Sequence, residues 1–134
     1  MRRRDGLLEA LLAFRAISPR ISISEVTAFL YTCENEGLSV QELAFISGMS
    51  QSAASRNLRG LGRPDSPWSL PPAVGLVEAY LSPTDGRSHI ARLSPQGVQL
   101  RDRLDEIIRR AVTIAGIAAV YDCIFSMYPS WIQF

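Results

Sequence analysis

The 134-residue sequence contains no lysine, one histidine and two cysteines. All 14 basic side chains are arginine, set against 13 acids for a formal net charge of +1. A balance this near neutral neither points to a polyanionic partner nor excludes one, so the distribution of charge has to decide. Arginine is the better fork for phosphates and guanine edges, although genomic base composition also produces an all-Arg set. His89 stands alone, Cys33 and Cys123 lie far apart without CxxC spacing, and no phosphate-binding glycine motif occurs. No convergent acid, base, nucleophile or metal set can be assembled from these residues, so neither an enzyme nor a metal or cofactor protein is expected. The absence of a disulfide framework fits a reduced, cytoplasmic setting.

Long uninterrupted apolar runs are missing too. Glu9 and Arg15 break the opening MRRRDGLLEALLAF and no small-residue cleavage site follows, which argues for a first helix over a signal peptide. The closing AVTIAGIAAVYDCIFSMYPSWIQF is divided by Asp122 and ended by Pro129, short of the ~20 apolar residues that a membrane span needs. A buried or dimer-forming helix is expected there, and no membrane partner.

What is present is enough hydrophobic residue, 47%, for one core. Leu7, Leu8, Leu11, Leu12 and Phe14 recur at helical spacing and predict a helix over about 5–17, which Ser18-Pro19 closes. Ser22 and Glu25 have capping-box spacing ahead of a second helix that stops near Asn35 to Gly37. Ser39 caps a short third helix ended by Gly48, and Ser50 caps a fourth running to about Leu61. GRPDSPWSLPP marks a loop, and two β-type runs, 76–81 and 89–93, flank turn formers. Ser94-Pro95 then opens the last helical region. The expectation is a mainly α single domain over 1–134. It has N-terminal helices over 5–37, a helix-turn-helix over 39–61, an irregular loop over 62–75, a two-stranded hairpin over 76–93 and a C-terminal helical region over 94–128.

Residues 40–61, VQELAFISGMSQSAASRNLRGL, have helix-turn-helix spacing about Gly48-Met49-Ser50. On the second helix Ser52, Ser55, Arg56 and Arg59 converge on one face, and Ala54, Leu58 and Leu61 on the other. Small Ala53 and Ala54 near the turn allow the helices to approach closely. A polar face can be merely solvated, but no acid interrupts Ser50 to Gly62, whereas the preceding helices carry Glu25, Glu34, Glu36 and Glu42. The N-terminal residues of a recognition helix reach base edges in the major groove, a role that fits Gln51, Ser52, Ser55 and Arg56. Arg59 and Arg63 read as clamps on the DNA backbone.

The hairpin tip Asp85-Gly86-Arg87, the strand ending in Arg92-Leu93 and the opening Leu93-Ser94-Pro95-Gln96-Gly97 resemble the MarR family of winged-helix regulators, as does the segment LAFISGMSQSAASRNLRGL. The similarity covers about residues 21–105. It implies a winged helix with long terminal dimerisation helices, a recognition helix in the major groove and Arg87 of the wing in the minor groove. Asp85 and Gly86 would support the wing, Asp85 through a salt bridge with an arginine. The expected function is that of a sequence-specific regulator, a repressor, binding a pseudo-palindromic duplex as a homodimer, with a small aromatic effector as a further partner. The sequence departs from the family in GRPDSPWSLPPAV, a connection about ten residues too long, where packing of Trp68 against the body is expected. His89 reads as an exposed strand residue.

Leu100, Leu104, Ile107, Ala111, Ile114, Ala118, Tyr121 and Phe125 step by four and three, an a/d seam that wants a helical partner. Helix one could supply that partner within the chain, while a two-fold dimer through both terminal regions is the stronger reading, with Leu8 and Leu11 of helix one and Leu100, Leu104, Ile107, Ile114, Tyr121 and Phe125 as its dimerisation residues. Two rivals stand beside the regulator. One is a winged helix serving as a protein-interaction or replication and partition module. The other is redox sensing by Cys33 or Cys123, against which core packing is the commoner fate of an isolated cysteine.

Overall fold

The structure, a computed structural model, describes residues 3–112. Ile114, Tyr121, Phe125, Cys123 and the end of the expected dimerisation region lie outside the described residues. The elements run α1 (Arg3–Ile17), α2 (Ile23–Glu34), β1 (Leu38–Ser39), α3 (Val40–Ser47), α4 (Gln51–Gly60), β2 (Val77–Leu81), β3 (His89–Leu93) and α5 (Pro95–Val112).

Helix starts are set by hydroxyl caps. Ser22 and Glu25 form the reciprocal capping box of α2, and Ser39 and Ser50 accept the Glu42 and Ala53 amides at the starts of α3 and α4. Gly48 ends α3 at φ 75°, a left-handed position where a Cβ would be strained, and so lets α4 turn away from α3. Ala54, Leu58 and Leu61 of the second half of the motif are buried with Leu43 of α3 and Phe29 of α2. Phe14 of α1 meets Phe29 edge to face with centroids 5.5 Å apart, which ties the N-terminal helix to the same core.

The hairpin is joined by a strand that the sequence pattern did not show. β1 is two residues long and pairs Leu38 with Ala91 and Ser39 with Ile90, giving the antiparallel order β1-β3-β2. Two residues carry no periodicity, so this strand exists through its tertiary partners. Glu36 extends the pairing, its carboxylate accepting the Leu93 amide at 3.1 Å. The junction with α5 explains the Leu-Ser-x-x-Gly pattern. Ser94 Oγ donates to the Gly75 carbonyl and accepts the Gly97 amide, while a Cβ at Gly97 would collide with the Leu76 carbonyl oxygen. Only glycine lets α5 start so close to the base of β2.

α5 lies along α1, with Arg110 and Glu9 paired at 2.6 Å. Leu100, Leu104 and Ile107 are at most 5% exposed, so the first half of the seam is filled inside one chain by the core that includes Ala13 and Phe14. These three positions, expected at a dimer surface, are packed within the chain. The physical reason is that α1 offers two faces: Ala10, Ala13 and Phe14 pack inward, whereas Leu7, Leu8, Leu11 and Leu12 remain outside. No helix of the described residues is long and apolar enough to cross a membrane.

Candidate nucleic-acid interface

The sheet and the helix-turn-helix leave a recess of ≈ 450 Å³ between the start of α4 and the wing. Gln51, Ser52 and Ser55 form one wall and Arg87, Ser88 and His89 the other, with Ser39 and Gln41 at the start of α3 and Trp68 from the loop completing it. Four of the residues singled out in the sequence are thus brought together, Arg87 meeting Gln51, Ser52 and Ser55 from 32 or more positions away. Among the described residues no acid lines the recess. Ser39, Gln41 and Ser88 add polar groups that sequence reasoning missed. Ser39 carried a legible signal only as a helix cap, and Gln41 reaches the recess only because β1 docks α3 against the wing.

Arg56 is exposed on α4, and neither it nor Arg87 has an ion-pair partner among the described residues. Arg59 and Arg63 sit differently. The Arg59 Nε donates to the Trp68 carbonyl at 2.7 Å, which commits that side chain to the loop. Arg63 reaches the outer side of the wing, where it pairs with Glu78 at 2.9 Å and Asp65 at 3.2 Å. Glu78 also accepts the Tyr80 hydroxyl, and the Arg92 guanidinium lies 5.5 Å from the Tyr80 ring centroid. These contacts raise the pKa of Arg63, chiefly through its hydrogen bond to Glu78, and that of Tyr80 for the same reason.

At the wing tip Gly86 takes φ 67° and its amide closes onto the Ser82 carbonyl. The Asp85 carboxylate accepts the backbone amides of Ser88 and Arg87, at 3.0 and 2.9 Å, and the Ser88 hydroxyl at 2.8 Å. The expected salt bridge from Asp85 to an arginine is not formed among the described residues. The carboxylate is instead held by the turn it closes, because an acid at this position faces successive N–H groups of the chain. Those bonds, led by the Ser88 amide, pull its pKa below the ordinary carboxylate value.

The long connection is ordered by α4. Its amides satisfy carbonyls that a helix end leaves orphaned: Leu70 donates to Arg59, Val74 to Gly60, and Leu76 and Val77 to Leu61. Trp68 is half-buried and stacks on His89 of β3, with centroids 5.6 Å apart and ring planes 25° apart. His89 is accordingly partly buried in the recess wall, a more enclosed site than a free strand edge. Cys33 is partly buried beside the core, and burial pushes its thiol up to about 12 against the weaker opposing effect of Arg101. A thiol held protonated in this way is a poor nucleophile, which argues against redox sensing at Cys33. Among the described residues no group of His, Cys, Asp and Glu could hold a metal ion.

No protein-family profile and no curated protein sequence matches the chain. Solved structures do. The chain is similar to MepR of S. aureus in its DNA complex, with a TM-score of 0.64 at 17% identity over 92% of this chain and 90% of that one. It is similar to a MarR transcriptional regulator from Methanosarcina mazei Go1, with a TM-score of 0.59 at 15% identity over 96% and 77% of the two chains. The PcaV transcriptional regulator from Streptomyces coelicolor, in complex with its natural ligand, gives a TM-score of 0.53 at 21% identity over 92% and 86%.

Proposed function

Given that the chain has the MarR-type winged-helix fold, we propose that it is a transcriptional regulator that binds a specific double-stranded DNA sequence as a homodimer. The observation that carries this reading is the acid-free recess in which Gln51, Ser52 and Ser55 of α4 face Arg87 and Ser88 of the wing. A recognition helix entering the major groove and a wing reaching the next minor groove straddle one phosphodiester strand, and hydroxyl, amide and guanidinium donors suit both its phosphates and the base edges. Arg56 and Arg87, without an ion pair among the described residues, are assigned to DNA. Arg59 and Arg63 support the frame from which those residues project. The similarity to MepR, whose structure holds DNA, supports the same assignment.

The homodimer is assigned to the outer face of α1. Leu7, Leu8, Leu11 and Leu12 form an exposed apolar stripe at helical spacing, and Ile108 of α5 is also exposed. A contiguous apolar face of this kind marks an interface. Its product would be a repressor occupying a two-fold site, with half-sites centred about one helical turn apart, ~34 Å. A recess of ≈ 720 Å³ lies between α1 and α5, lined by Leu12, Ala16, Leu100 and Arg103 among others, and is the place assigned to a small aromatic effector. Selection of bound sequences from a random duplex pool tests the reading. An enriched inverted repeat is expected, and recovery of no common sequence at any protein concentration overturns operator recognition.

A further inference from the structure

Between α4 and the wing residues 62–75 form a connection whose backbone is zipped along the end of α4 rather than looped into solvent. Gly62 is part of that fit, since a Cβ there would collide with the Ser69 side chain. The middle of the connection carries Trp68. Its carbonyl is held by the Arg59 guanidinium of α4, and its indole lies flat against His89, the first residue of β3. One residue thus touches both the helix and the strand that leads back from the wing tip. Arg87 is two residues from His89, so the direction in which Arg87 projects depends on how β3 is seated.

From this arrangement we infer that Trp68 is a positioning residue for DNA recognition, a brace that sets the spacing between α4 and the wing and thereby aims Arg87. The inference rests on the DNA-binding reading and extends it to the connection that the reading leaves without a role. Two properties follow from the geometry. The aromatic ring is the working part, because the stack uses its face and the carbonyl bond is independent of side chain. The brace also acts on Arg87 more than on Arg56, which projects from α4 itself.

A double-mutant cycle on the full chain tests this, using a duplex selected by the wild-type protein from a random pool. Arg87→Ala alone is expected to lower affinity about tenfold or more. In a Trp68→Ala background the same change should cost less than about threefold, while Trp68→Phe restores the larger cost. An equal cost of Arg87→Ala in both backgrounds overturns the inference. If Trp68→Ala does not fold, His89→Ala removes the stack from the other side and the cycle is run with it, under the same criterion. Hydrogen exchange without DNA separates the brace from the reading beneath it. In Trp68→Ala or His89→Ala the β2 and β3 amides should exchange about tenfold faster while α1 amides keep their rates. Unchanged wing exchange overturns the brace. Faster wing exchange in a protein that selects no duplex upholds the brace and overturns the DNA reading alone.

Discussion

The cations of this protein divide by what they touch. Arg63 is spent on Glu78 and Asp65 and Arg59 on the Trp68 carbonyl, whereas Arg56 and Arg87 pair with no acid among the described residues. Arg56→Ala is therefore expected to weaken binding of a selected duplex by about 1–3 kcal/mol, as loss of a base-edge or phosphate contact does, with no change in thermal unfolding. A fluorescence anisotropy titration beside a melt measures both, and an unaltered affinity would remove Arg56 from the interface. Asp85→Ala should lower affinity less than Arg87→Ala, because it slackens the turn that carries Arg87 without deleting the guanidinium. Since the Asp85 pKa is lowered in the folded wing, its contribution is complete above the ordinary carboxylate range and fades as pH falls through the depressed value. Cys33 gives the opposite sign. A thiol raised from 9.0 to about 12 keeps its neutral, folded form favoured below 9, and stability declines as pH rises from there toward 12. Iodoacetamide at pH 8 should label Cys33 only when denaturant opens the core, as mass spectrometry of the tryptic peptides would show; rapid native labelling would contradict this burial.

The elements follow from short-range rules wherever those rules apply. Ser22, Ser39 and Ser50 cap the helices that their spacing predicts, Gly48 supplies the turn of the helix-turn-helix, and Pro95 opens α5. β1 was not legible, because two residues paired to β3 leave no local signature. The site was legible in part for the same reason. Helical periodicity gathers Ser52, Ser55 and Arg56 on one face, but no periodicity can foresee that Arg59 turns back to a carbonyl nine residues on or that His89 meets Trp68. Gly97 gives the clearest element-scale prediction. With no room for a Cβ beside the Leu76 carbonyl, Gly97→Ala must push α5 away from β2 and should cost about 1–3 kcal/mol, seen as a lowered Tm. A Tm equal to that of the wild type would mean that the junction is looser than drawn.

At the scale of the molecule, one chain buries Leu100, Leu104 and Ile107 for itself and leaves the leucine stripe of α1 outside. The seam predicts helical packing either way, and sequence spacing alone cannot distinguish a partner within the chain from a partner in a second copy. Leu8→Glu with Leu11→Glu should shift the protein from dimer to monomer in sedimentation equilibrium and weaken duplex binding, since two recognition helices then no longer act together. A variant that stays dimeric would place the interface elsewhere. DNA recognition by this protein is measured best as the affinity of the wild type for its selected duplex, and for a scrambled duplex of equal length, across a series of salt concentrations. Operator recognition by the recess and the wing gives a preference for the selected duplex at every salt concentration, with log affinity falling linearly as log salt rises, and a shallower slope for Arg87→Ala. Equal affinity for the two duplexes, or a slope that Arg87→Ala leaves unchanged, would contradict it.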